Sequence, residues 1–98
     1  MKYIQVVEFL NAPKKVQDSI WEWWKIEKYD IVWDSVFGER VNTFGHMSKE
    51  NKIPLLTVGQ LIEYIEYKAG AFDITIYFMD TKENLLDVLW EKAKEISL

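Results

Sequence analysis

Apolar positions in this chain recur at helical spacing in three places and at strand spacing in two. Val16, Ile20, Trp23 and Trp24 stand at i, i+4, i+7 and i+8, one stripe of an α-helix. Asn11 is a good N-cap for it, and Pro13 suits a first turn, where its missing N–H has no intrahelical partner anyway. Trp21 falls about 140° from Val16, off that stripe. The segment Met1–Leu10 is denser. Ile4, Val7 and Leu10 fit a helix, Tyr3, Gln5, Val7 and Phe9 would share a strand face, and a helix is the preferred reading.

Tyr29–Phe37 alternates, with Ile31, Trp33 and Phe37 on one side and Asp30, Val32, Asp34 and Val36 on the other. This predicts a strand with Trp33 turned inward. Gly38-Glu39 reads as a turn, Arg40–Phe44 as the return strand, and the polar stretch Gly45–Lys52 as the longest exposed loop. Thr57-Val58-Gly59-Gln60 has the capping-box form, in which side chains satisfy two orphan N–H groups at a helix start. Val58, Leu61, Ile62 and Ile65 form the buried stripe of that helix, Tyr64 and Tyr67 lie off it, and Gly70 is a natural stop. Phe72–Met79 is the strongest strand pattern, with Thr75, Tyr77 and Met79 too apolar for a wet face. Asp80 or Thr81, with Glu83, is placed to cap a last helix. Its stripe is Leu85, Leu86, Leu89, Ala93 and Ile96, with Trp90 about 140° from Leu85. The order (α)αββαβα predicts one α+β domain over residues 1–98, a small three-stranded, mostly antiparallel sheet packed with three to four amphipathic helices.

Composition narrows the function classes. A chain of 98 residues, half of them apolar, is long enough to fold alone. It has no Cys, which removes disulfides, thiolate zinc sites and Cys nucleophiles. The net charge is −4, and the lysines are scattered among acidic residues, so nonspecific nucleic-acid binding is not expected. No apolar run approaches the ~20 residues of a membrane span, and the start MKYIQVVEFL makes a poor signal peptide. A soluble cytoplasmic protein without membrane partners is the expectation.

Three pieces of the chain carry a resemblance. Pro13-Lys14-Lys15-Val16-Gln17 runs on to Trp23-Trp24-Lys25. Ile53-Pro54-Leu55-Leu56-Thr57 is followed by Gly59-Gln60-Leu61 and then Ile65-Glu66, and Trp90 stands in the last helix. Together they resemble a family of small proteins encoded by phages and prophages of low-GC Gram-positive bacteria, over roughly residues 12 to 96. The chain departs from that pattern at Ile26, often Pro in the family, and at Val58 and Ile62, often polar there. The resemblance implies a phage origin, an α+β fold and residence in the host-cell cytoplasm. It brings no catalytic residue.

Catalytic chemistry has little to draw on. His46 is the single His and sits in the polar loop, where a solvated side chain is the ordinary outcome. Glu63 with Glu66 and Glu91 with Glu95 read as solvated helix faces, and Gly59 as a packing Gly rather than an anion site. No enzyme activity, metal or cofactor is expected. The aromatics outside the stripes, Trp21, Tyr64, Tyr67 and Trp90, are the contact candidates, unless they finish the core. Arg40, the one Arg, is the first phosphate partner to consider. Three functions follow: a module that binds a host or phage protein or a second copy of itself, including an inhibitor of a host defence protein; a binder of a small ligand or nucleotide signal in an aromatic pocket; or an accessory protein with no separable activity.

Overall fold

The computed structural model describes residues 2–43, 45, 47–70 and 84–98. Its elements run α1 (Val6–Asn11), α2 (Lys14–Trp23), β1 (Ile31–Asp34), β2 (Gly38–Val41), β3 (Lys52–Pro54), α3 (Val58–Ala69) and α4 (Leu85–Ile96). The architecture is α+β, with one antiparallel sheet in the order β2-β1-β3. The third strand of this sheet is Lys52–Pro54, so the described order is ααβββαα. The strand expected at Phe72–Met79, and the caps expected at Asp80 or Thr81, lie outside the described residues. Within them, α4 is capped by Asn84, whose side chain accepts from the Asp87 N–H.

Several helix ends are closed by specific groups. The Thr57 hydroxyl oxygen accepts from the Gln60 N–H at 3.3 Å, and the Gln60 amide oxygen accepts from the Thr57 N–H at 3.0 Å. Gly70, at φ +83°, ends α3 in a conformation that a Cβ would strain. Asn11 does not cap α2. It is the last residue of α1, and Pro13 occupies the α2 N-cap. Gln17 of α2 instead reaches back, its amide donating to the carbonyls of Leu10 at 3.1 Å and Ala12 at 2.8 Å. That donor closes the end of α1, whose last carbonyls lack intrahelical partners. Ahead of α1 the chain is extended: Tyr3 bridges Thr57, and the Ile4 N–H donates to Leu56 O at 2.8 Å.

The core takes Ile4 and Phe9 from the N-terminal segment, Val16, Ile20 and Trp24 from α2 and its C-cap, Val32 from β1, Leu56, Leu61, Tyr64 and Ile65, and Leu86, Leu89, Trp90 and Ala93 from α4. Burying such side chains contributes roughly 1.5–3 kcal/mol each before the entropy of ordering them is counted.

In β1 the alternation is present and its polarity is reversed. Val32 and Asp34 are the buried residues, and Trp33 is half-buried on the opposite face with Ile31. Trp33 is therefore not the inward residue of the strand, and Phe37 is exposed at the hairpin tip. The turn falls at 35–37 rather than at Gly38-Glu39, pairing Asp34 with Gly38, and Val32 and Asp34 take the covered face. The Asp34 carboxylate accepts from the Val36 N–H at 2.7 Å and the Phe37 N–H at 3.3 Å, an Asx-type arrangement. Arg40 at 3.7 Å and Lys52 at 3.6 Å flank it. The Val36 amide above all, then the Phe37 amide and the two cations, holds this carboxyl below the usual carboxylate range against the cost of burial.

A groove between α2 and the loop before β3

The C-terminal turn of α2 and the loop leading to β3 face one another across a concavity of about 990 Å³. Trp21, Trp24, Ile26 and Met47 give it apolar walls, and Lys25, Glu27, Lys28, Lys49 and Glu50 bring charges to it. Such dimensions sit at the upper end of the roughly 300–1,000 Å³ usual for ligand pockets.

The loop is fastened to the helix by two residues. Trp21, 39% exposed, donates from its indole Nε1–H to Lys52 O at 3.2 Å. Lys49 donates from Nζ to Trp21 O at 2.7 Å and more distantly to Glu22 O at 3.5 Å, with the ammonium 4.4 Å from the Trp21 ring centroid. The last turn of α2 carries no basic residue of its own. Lys49 supplies that missing cation from another segment, where the helix dipole and free carbonyls favour it. Asn51, at φ +59°, turns the chain into β3, and its carbonyl accepts from the Ser35 N–H at 3.1 Å. The stretch expected to be an exposed loop is thus partly structural: Met47 packs against the core and Lys52 begins β3.

Trp24 forms the deeper wall and is 2% exposed. Among the described residues its Nε1–H has no hydrogen-bond acceptor. Beyond it, the turn 27–30 is closed by Asp30, whose carboxylate accepts from the Glu27 N–H at 2.8 Å. Burial pushes the Asp30 carboxyl up, against the lowering effect of that amide bond. Asn42 anchors the same turn, its side-chain amide donating to Glu27 O at 3.0 Å and its backbone pairing with Tyr29 and Asp30.

The five residues read from sequence as contact candidates separate. Trp21 alone is in the groove. Tyr64 is fully buried: its ring stands edge-on to Trp23 at 5.2 Å, and its hydroxyl lies between Ser19 at 2.7 Å and Ser97. Ser97 donates to Ala93 O, so Tyr64 must donate to Ser97 and Ser19 to Tyr64, a one-directional string joining α2, α3 and α4. Trp90 is 3% exposed and stacks on Phe9 at 6.5 Å, with Lys94 5.6 Å from its ring. Neither surface is open to a partner. Helical phase missed them because α3 and α4 are each covered from more than one side, so their buried arcs are wider than a stripe. Tyr67 is 67% exposed on α3, outside the groove. Arg40 is on β2 behind the groove, with Asp34 at 3.7 Å, Met47 Sδ at 3.9 Å and the Phe37 ring at 5.4 Å. Its buried Nε–H has no acceptor among the described residues.

Met47 and Lys49 escaped the sequence reading, and Ile26 entered it only as a departure from the family pattern. Isolated residues in a polar loop and an extended run carry no period, and only their approach to α2 gives them a role. Among the described residues no group of three or more His, Asp or Glu is placed to hold a metal, and no helix is long and apolar enough to cross a membrane. Comparison of the chain with protein-family models, curated proteins and solved structures yields no match.

Proposed function

We propose that this chain is a non-catalytic protein-binding module of phage or prophage origin, acting in the host-cell cytoplasm by docking a host or phage protein into the groove beside Trp21. The observation that carries the reading is the groove itself: an open apolar concavity with a half-exposed Trp on its rim, built on a helix and a fastened loop. Trp and Met are enriched at protein interfaces, and anchors of this kind carry most of the affinity where they occur. The phage origin is supported by the motifs around Pro13–Lys25 and Ile53–Leu61. Those motifs serve the scaffold: Val16, Trp24, Leu56 and Leu61 are core, Gln17 closes α1, and Thr57 with Gln60 caps α3. A partner specific to this chain would then be read by residues outside the motifs, such as Met47 and Lys49.

The test is affinity capture from a Gram-positive host lysate with the wild-type protein and with Trp21→Ala and Met47→Glu, each checked for an unchanged fold by circular dichroism. A partner retained by the wild type and lost by both variants supports the reading. A partner retained equally by all three proteins, or none at all, sinks it. Light scattering on the same samples separates a foreign partner from a second copy of this chain.

A further inference from the structure

We infer that the segment docked in this groove is acidic as well as apolar, an inference that rests on the groove being the docking surface. The chain is acidic overall, at −4, yet the groove faces its occupant with Lys25, Lys28 and Lys49 against Glu27 and Glu50. Lys25 enters no ion pair or hydrogen bond within the described protein, and Lys28 meets only the Tyr29 ring, at 5.3 Å. Both ammonium groups are on exposed residues, ready to meet carboxylates. A locally basic concavity on an acidic molecule draws and orients an acidic partner. The walls then ask for an apolar anchor beside that charge, against Trp21, Ile26 and Met47. Apolar walls and a surplus of one cation together describe an extended acidic segment with one or two large apolar side chains.

A displayed random dodecapeptide library, selected on the immobilised protein, tests this directly. Enriched peptides should combine Asp or Glu with Leu, Phe or Trp. Their affinities, read by fluorescence polarisation, should fall about tenfold on Lys25→Glu with Lys28→Glu, in keeping with charged-partner hydrogen bonds. The charge reversal should matter less as salt rises. Groove-binding peptides without acidic bias, or acidic ones indifferent to the charge reversal, overturn the inference while leaving the groove as a docking surface. Peptides indifferent to Trp21→Ala and Met47→Glu, or none enriched, overturn both. Displacement of bound peptides by ATP or a cyclic dinucleotide would assign the lysines to a nucleotide instead and overturn the acidic segment.

Discussion

Two tryptophans lie about the same angle off their helices' apolar stripes, and the fold treats them in opposite ways. Trp90 is absorbed: α4 lies between α1 and α3, and the indole closes the space against Phe9. Trp21 stands at the end of α2, where the neighbour is a loop, and its ring keeps an open edge with a basic side chain over it. The difference teaches that angular offset measures distance from a helix's own stripe. The number of elements packed around the helix decides burial. Trp90 belongs to the scaffold, and Trp21 to a rim.

The largest effect that would separate the two regions is in stability. Trp90→Ala should destabilise by about 3–5 kcal/mol, as large-to-small changes at buried aromatic sites do. Trp21→Ala should cost less, about 1–3 kcal/mol, the loss of one hydrogen bond, the Lys49 contact and a partly buried ring. Urea unfolding of both variants checks the contrast, and equal losses would erase it. Next is Tyr64→Phe, which leaves the ring against Trp23 and removes the hydroxyl between Ser19 and Ser97. With Ser19 deprived of its acceptor and buried Ser97 of its donor, about 1–3 kcal/mol should be lost. A near-neutral result would mean that the string adds no stability.

Lys49→Met keeps most of the side chain's reach and removes the charge at the end of α2. It should cost only about 0.3–1 kcal/mol. Its signature is local: amide exchange should quicken across 47–52 while the α3 and α4 amides stay protected. Uniform quickening would show that the loop is not separately fastened.

The smallest effect is a pH dependence. Asp34 has its folded-state pKa depressed, chiefly by the Val36 amide. Its contribution is therefore present above the unfolded value of about 3.9 and is lost as pH falls through the depressed folded value. Asp34→Asn should flatten that acid loss in unfolding measured between about pH 5 and pH 2. Asp30 has the opposite sign, since burial raises its carboxyl. Ionising it opposes folding above its raised pKa, and Asp30→Asn, which keeps an oxygen for the Glu27 amide, should lessen that penalty. Acid profiles that respond to neither substitution would place the acid sensitivity elsewhere.

Much of the scaffold was legible because it is local. The capping box at Thr57, the stop at Gly70, the stripes of α2 and α3 and the α+β class each depend on residues within a turn or two of each other. The polarity of β1 was not. Alternation says which residues share a face and is silent on which face the helices cover, and here a buried carboxylate on turn amides goes with Val32. β3 was missed for a related reason: three residues with Pro at the end carry no strand pattern, and pairing to β1 makes them one. The groove was legible only through Trp21.

What the sequence determined by itself is the set of elements whose signals are short-range, and the supply of aromatics left over from them. Which leftovers stay accessible was settled by packing in three dimensions. Burial is a property of the space between elements, and that space exists only after α3 and α4 have packed together and the 47–52 loop has been drawn onto α2.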